Sequence, residues 1–306
     1  MKRTSLGIRL VTLMALLIGL GAPRAARAKV NVVASIETLA DLARQVGGDR
    51  VEVKSLARGY MDPHFVEPKP SLVIDLNRAD LLVHVGLELE IGWLPPLVLG
   101  ARNPRIQLGQ PGNLDASTGI HVLDVPATKI DRSLGDIHAQ GNPHYWIPPA
   151  SAAIVAREIA ERLASIDPAG KSSYDARLAA FLAELERRRA DWEKRAAPLR
   201  GTKIVTYHKS WSYLSSWLGL EEVGYVEPKP GIPAPPSHIA QLIGAMKRDG
   251  VKLILMESFY PRSTVDLVAD KAGARALVVP SDVGAAPNIK SYFDLVEAVI
   301  QKLTRG

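Results

Sequence analysis

Three histidines stand in settings suited to presenting an imidazole. They are His64 in Asp62-Pro63-His64-Phe65-Val66-Glu67-Pro68, His144 in Gly141-Asn142-Pro143-His144-Tyr145-Trp146, and His208 in Thr206-Tyr207-His208-Lys209-Ser210-Trp211. The chain has seven histidines, and these three lie just beyond apolar runs or in proline-stiffened turns. Imidazole is the commonest protein ligand for a divalent transition metal, and proline fixes the backbone on either side of it. Two carboxylates sit in comparable places. Glu257 follows Leu253-Ile254-Leu255-Met256, and Asp282 follows Ala276-Leu277-Val278-Val279-Pro280. Three imidazoles and one carboxylate suit tetrahedral Zn2+, with bonds of about 2.0–2.2 Å. The absence of any cysteine disfavours metals that want thiolate. Mn2+ would prefer more oxygen, so the third histidine favours zinc.

The elements that must bring these side chains together are visible as two similar halves. Val66-Glu67-Pro68-Lys69-Pro70 recurs as Val226-Glu227-Pro228-Lys229-Pro230, a spacing of 226 − 66 = 160. A β-branched run precedes each copy, Val30–Ala34 and Lys203–Tyr207. A serine-initiated amphipathic run follows each, from Ser71 and from Ser237, where serine can cap a helix. An apolar run then closes each half, Leu81–Val85 and Leu253–Met256. Strand alternating with helix predicts an α/β fold of two pseudo-symmetric lobes, each a mostly parallel sheet flanked by helices, with a cleft between them. In such sheets ligands collect beyond the carboxyl ends of the strands. His64, His208, Glu257 and Asp282 all follow strand-like runs, whereas His144 precedes a helix beginning near Ala150.

One long helix is expected to join the lobes. From Lys171 to Leu199 there is no glycine and no proline before Pro198, and Tyr174, Leu178, Phe181, Leu182, Leu185 and Trp192 form a helical stripe. Arg187, Arg188 and Arg189 with Glu184 and Glu186 mark its solvated side. The expected organisation is a signal peptide at 1–28, an N-terminal metal-binding lobe at 29–168, the linker helix at 169–200 and a C-terminal metal-binding lobe at 201–306.

The leader reading rests on Lys2, Arg3 and Arg9 before the apolar Leu10–Leu20, with Ala26-Arg27-Ala28 as cleavage site. Cleavage leaves 306 − 28 = 278 residues and lowers the formal charge of +6 by the five cations of the leader, to +1. No basic surface for nucleic acid is then expected. A cysteine-free exported chain also has no disulfide and no site for a lipid on an N-terminal cysteine, which suits a free periplasmic protein.

Among the other histidines, His84 reads as a core residue and His238 as a solvated one on a helix's first turn. His121 and His138 flank a loop rich in Asp, Gly and Ser, where they could capture an ion in passing. No phosphate-binding, dinucleotide-binding, nucleophile-elbow or HExxH string occurs.

Across the whole mature chain these motifs resemble the periplasmic zinc- or manganese-binding proteins of metal ABC importers, the type whose lobes share a rigid helix. Asp62-Pro63-His64 with Glu67-Pro68 is similar to that family's first ligand motif. Pro143-His144 with Trp146 is similar to the second, and Tyr207-His208 with Trp211 to the third. Met256-Glu257 and Ser281-Asp282 with Tyr292-Phe293 resemble its acidic regions. The family's usual Asp-Pro-Leu-Gly is here Ser281-Asp282-Val283-Gly284, shifting the acid by one residue. The fourth ligand therefore stands between Asp282 and Glu257. The long His-rich loop of many zinc members is absent.

The resemblance implies a monomeric, non-enzymatic protein that carries Zn2+, with Mn2+ as the alternative, to an ABC importer permease. A periplasmic metallochaperone is a further conceivable partner. Two other readings compete: a secreted zinc hydrolase, and the same scaffold carrying haem, cobalamin or a siderophore. The glycine-containing segment from Gly109 to Pro143 is expected to respond to metal, with His144 as the ligand that swings out.

Overall fold

The computed structural model describes residues 29–127, 138–229 and 231–305; the expected leader at 1–28 lies outside them, as does the stretch 128–137. The short Val/Ile/Leu runs form parallel strands. In the first lobe these are β1 (Val30–Ala34), β2 (Val51–Ser55), β3 (Leu81–His84) and β4 (Asn113–Asp115), in the order β2-β1-β3-β4. The second lobe repeats the plan with β5 (Lys203–Thr206), β6 (Glu221–Tyr225), β7 (Leu253–Met256) and β8 (Arg275–Val278), in the order β6-β5-β7-β8. Every pairing between these strands is parallel. Helices cover both faces, so the central strands are largely apolar: all four residues of β7 are buried, as are Leu81, Leu82 and Val83 of β3. The order reverses between β1 and β3, and again between β5 and β7. A doubly wound sheet opens a crevice at such a point, and here the two crevices face each other.

The first lobe's helices are α1 (Glu37–Gly47), α2 (Pro70–Arg78), α3 (Leu94–Ala101) and α4 (Pro149–Ile166). The linker α5 runs from Lys171 to Ala196 and gives way to a 3-10 turn at Ala197–Leu199, where Pro198 cannot supply an N–H. In the second lobe follow α6 (Ser212–Leu218), α7 (Pro236–Asp249), α8 (Arg262–Ala272) and α9 (Tyr292–Arg305). Tyr174, Phe181, Leu185 and Trp192 of α5 are buried in a core shared by the first lobe, α9 and residues Ile204, Leu253 and Leu255 of the second sheet. The link is therefore packed against both lobes and has little freedom to hinge. The final helix is tied back to the first lobe, because Tyr292 N–H donates to the buried Asp41 carboxylate of α1 at 2.8 Å.

Four local expectations change. Neither Ser71 nor Ser237 caps a helix; α2 and α7 instead begin at Pro70 and Pro236, whose missing N–H costs nothing in the first turn. The two Val-Glu-Pro-Lys-Pro copies are not structural equivalents. Val226 and Glu227 extend the β5–β6 ladder through N–H bonds to Thr206 and Tyr207, and the matching places beside β1 belong to Leu56 and Ala57. His238, read as solvated, is half-buried, with Nε2 2.9 Å from the Tyr225 carbonyl. His84 is likewise half-buried, held to Asn113 at 3.0 Å.

Candidate metal centre

His64, His144 and His208 converge where the two crevices meet. Each offers a ring nitrogen, and the three nitrogens lie within 4.8 Å of one another. Ring centroids are 5.1 Å apart for His64 and His144, 5.2 Å for His64 and His208, and 5.3 Å for His144 and His208. His208 sits two residues past β5, His64 in the β2–α2 connection and His144 ahead of α4. The site thus draws on both lobes.

Every ring is oriented through Nδ1. Asp62 Oδ1 takes both the backbone N–H of His64 at 3.0 Å and its Nδ1 at 2.7 Å. Asn142 Oδ1 does the same for His144, at 3.0 and 2.8 Å. These are one device used twice: Asx-Pro-His, an Asx turn whose side chain holds the imidazole two residues on. His208 Nδ1 lies 2.8 Å from Glu227 Oε2. A carboxylate or amide oxygen only accepts, so each Nδ1 carries the proton and each Nε2 presents its lone pair to the cleft. His144 Nε2 is buried with no hydrogen-bond partner, as an atom kept for a cation would be.

Outer partners of this kind typically govern metal affinity by about 10–100-fold. Replacing Glu227 by alanine should lower metal affinity by that factor while the fold persists. A competition titration that finds no change would show that the His208–Glu227 bond is structural only.

The two acids are placed differently. Asp282 is buried, and its oxygens accept from the N–H groups of Glu37, Thr38 and Val283 and from the Thr38 hydroxyl. It caps α1 across the lobe boundary, where the helix N-terminus favours an anion. Burial nevertheless pushes its carboxyl up to about 7 against those bonds. Glu257 lines a cavity of about 10 Å³ together with His64, His144, Ser210 and Trp211, which is room for one water or one ion. Its Oε2 is buried without a partner, as is the Trp211 indole N–H. Burial raises Glu257 to about 8, with a Ser210 hydrogen bond opposing.

Burial, reinforced by neighbouring imidazoles, drives His144 well below the usual imidazole value and His138 down to about 3. Both shifts favour the neutral ring, so neither releases a proton when a metal arrives at pH 7. Glu257 behaves oppositely: it is protonated below about pH 8, and a dication beside it favours the charged form. Metal binding at pH 7 should release close to one proton from Glu257. That proton should vanish in Glu257→Gln when binding enthalpies are compared across buffers of different ionisation heat. Unchanged release in the variant would contradict this assignment.

His144, expected to swing, is held in place by bonds to the other lobe. Only 6 % of the residue is exposed. Asn142 ties its turn to the Lys209 carbonyl at 2.9 Å, Tyr213 OH donates to the Asn142 carbonyl at 2.9 Å, and Trp146 Nε1 donates to the Ser281 carbonyl at 2.7 Å. All of these bonds cross between the lobes.

This arrangement has known counterparts. Residues 32–306 match the family model for the periplasmic zinc-uptake complex component A, ZnuA. The chain belongs to the ZnuA family. It is 27% identical to a crystal structure of ZnuA, with a TM-score of 0.74 over 91% of this chain and 99% of that one. The same identity holds for a zinc-bound ZnuA lacking 138–173, with a TM-score of 0.75 over 90% of this chain and 97% of that one. Among curated relatives, the manganese ABC transporter substrate-binding lipoprotein PsaA of Streptococcus pneumoniae is 26% identical, covering 91% of this chain and 89% of its own. The iron ABC transporter substrate-binding lipoprotein MtsA of Streptococcus pyogenes serotype M1 is also 26% identical, with the same coverage. As a ZnuA-family member, the chain is a metal-binding substrate-binding protein of an ABC importer, working with a membrane permease and its ATPase. Among the described residues, no helix is long and apolar enough to cross a membrane.

Proposed function

We propose that this protein binds Zn2+ at high affinity in the periplasm and hands it to the permease of its importer. His64, His144 and His208 hold the ion through Nε2, and Glu257, of the two acids, supplies the negative charge beside it. Asp282 serves instead to join α1 to the second lobe. The observation that carries the reading is the three Nδ1 atoms engaged by outer partners, with Nε2 left for a cation. Relatives are named for manganese and iron. A site dominated by imidazole nitrogen suits zinc better than manganese, which favours oxygen ligands.

A cavity of about 10 Å³ leaves no room for haem, cobalamin or a siderophore at these histidines. A catalytic zinc would need an open position and a base beside a bound water. The enclosed donors here suit a carrier rather than a hydrolase. In this reading residues 1–28 are a cleaved leader, and 29–168 and 201–306 are lobes joined by 169–200. The chain acts as a monomer, and a periplasmic metallochaperone is a further candidate partner. The relatives' names call them lipoproteins, but this sequence has no cysteine, in keeping with a freely diffusing periplasmic form.

Competition titration of the demetallated protein with Zn2+ and Mn2+ tests the cargo. Zinc should bind one ion per chain and far more tightly. Equal or stronger Mn2+ binding would replace zinc by manganese in this account.

A further inference from the structure

A fourth histidine touches the cluster from outside it. His138 Nε2 lies 3.4 Å from His64 Nε2, and the two rings stack at a centroid distance of 5.4 Å and an interplanar angle of 25°. Its ring is 6.1 Å from that of His144, so it approaches from the His64 side of the cluster. Tetrahedral zinc bonded to nitrogen at about 2.0–2.1 Å sets its donor atoms roughly 3.3–3.4 Å apart. Two imidazole nitrogens facing each other at 3.4 Å are therefore already spaced as two ligands of one ion.

The position of His138 is set by an unusual turn. After β3, Gly86, Leu87 and Glu88 all adopt left-handed backbone, with φ of 78°, 49° and 68°. For Leu87 and Glu88 this is a costly conformation that surrounding structure must enforce. Leu87 is buried, and the Glu90 carboxylate accepts from the N–H groups of Val85 and Gly86 at 2.7 and 3.2 Å. Tyr145 OH, beside His144, donates to the Val85 carbonyl at 2.6 Å. The turn aims Glu88 at the residue after His138: Glu88 Oε2 accepts the Ala139 N–H at 2.7 Å.

We propose that His138 is a fourth, exchangeable nitrogen donor to the bound ion, and that Glu88 is the positioning residue that holds it over the other three. This rests on the zinc-binding reading above and adds to it a ligand that neither acid provides. The His138 ring also donates a hydrogen bond to the Glu88 backbone carbonyl. On binding, both Nε2 lone pairs turn to the ion. The ring stays neutral and no net proton is lost. Breaking the Glu88 bond lets His138 withdraw while three ligands remain, which gives the ion a route out that leaves the buried rings in place.

The test uses the full mature chain loaded with Zn2+ or with Co2+, whose visible absorption is strong in four-coordinate nitrogen sites and weak in higher coordination. His138→Ala should still bind one ion per chain, release Zn2+ to a chelator roughly 10–100-fold faster, and shift the Co2+ bands as water replaces a nitrogen donor. Glu88→Ala should change in the same direction. Glu88→Gln, whose amide oxygen can still accept from Ala139, should restore the parent behaviour. An unchanged Co2+ spectrum and release rate in His138→Ala would overturn the proposal while leaving the three-histidine site intact. Failure of Gln to rescue would remove Glu88 from it. If the parent protein takes up neither ion, the zinc-binding reading itself falls.

Discussion

Replacing His64, His144 or His208 by alanine should lower zinc affinity by well over the roughly 10–100-fold that loss of an outer partner costs. Each ring supplies a direct bond, and its outer partner is left with nothing to orient. The losses should be unequal. His144 is enclosed and its Nε2 has no other partner, so removing it leaves a hole among Trp146, Trp211 and Glu257 that water enters. His64 lies nearer solvent and next to His138, so water can most readily fill the place its ring vacates. His144→Ala should therefore be the most damaging of the three, and His64→Ala the mildest. The fold should survive all three, because none belongs to the apolar strands. Isothermal titration with circular dichroism as the folding control distinguishes these outcomes. Unfolding of all three metal-free variants would mark the histidines as structural.

Gly59→Ala should be nearly as harmful without touching a ligand. A Cβ at this position would stand 1.8 Å from the Val283 carbonyl oxygen and 2.8 Å from Ala285 N. Both obstacles are backbone of the other lobe, so no side chain can turn aside. Overpacking of this kind costs about 1–3 kcal/mol, and about 2–4 °C of melting temperature accompanies each kcal/mol in domains of 150–250 residues. The less costly escape is to push the segment carrying Asp62 and His64 away from the second lobe. That would open the nitrogen triangle and lower zinc affinity by about tenfold or more. Thermal unfolding of the metal-free protein and a zinc titration read the two effects separately. Unchanged values in both would mean that the lobes do not meet at Gly59 in solution.

The two-lobed plan and the linker helix were legible because they rest on period and composition. Runs such as Leu253-Ile254-Leu255-Met256, short and bounded by turns, read as buried strands, and the Tyr174–Trp192 stripe reads as one helix face. The three histidines were legible for a similar reason, since each stands next to a strand end or a proline turn. Their orientation was half legible: Asp62-Pro63-His64 and Asn142-Pro143-His144 repeat one pattern whose side-chain bonds could have been read from the spacing alone. Glu227 could not have been found that way. It reaches His208 from the end of a neighbouring strand, 19 residues on, and its duplicate Glu67 is exposed with no such task.

Asp282 shows what a strand end leaves open. A carboxylate beyond a strand can face the cleft or cap a neighbouring helix, and only the packing of α1 against the second lobe decides between them. His138 shows the converse. The sequence marks it only as one of two histidines flanking a loop, because its place depends on Glu88 and on the left-handed turn after β3.

The central claim is that one ion sits among His64, His144 and His208. Crystals of the zinc-loaded protein, measured on both sides of the zinc absorption edge, test it most directly. The account predicts a single strong anomalous peak about 2.0–2.1 Å from the three Nε2 atoms. A peak elsewhere, or none at the cleft despite stoichiometric zinc in solution, would contradict it.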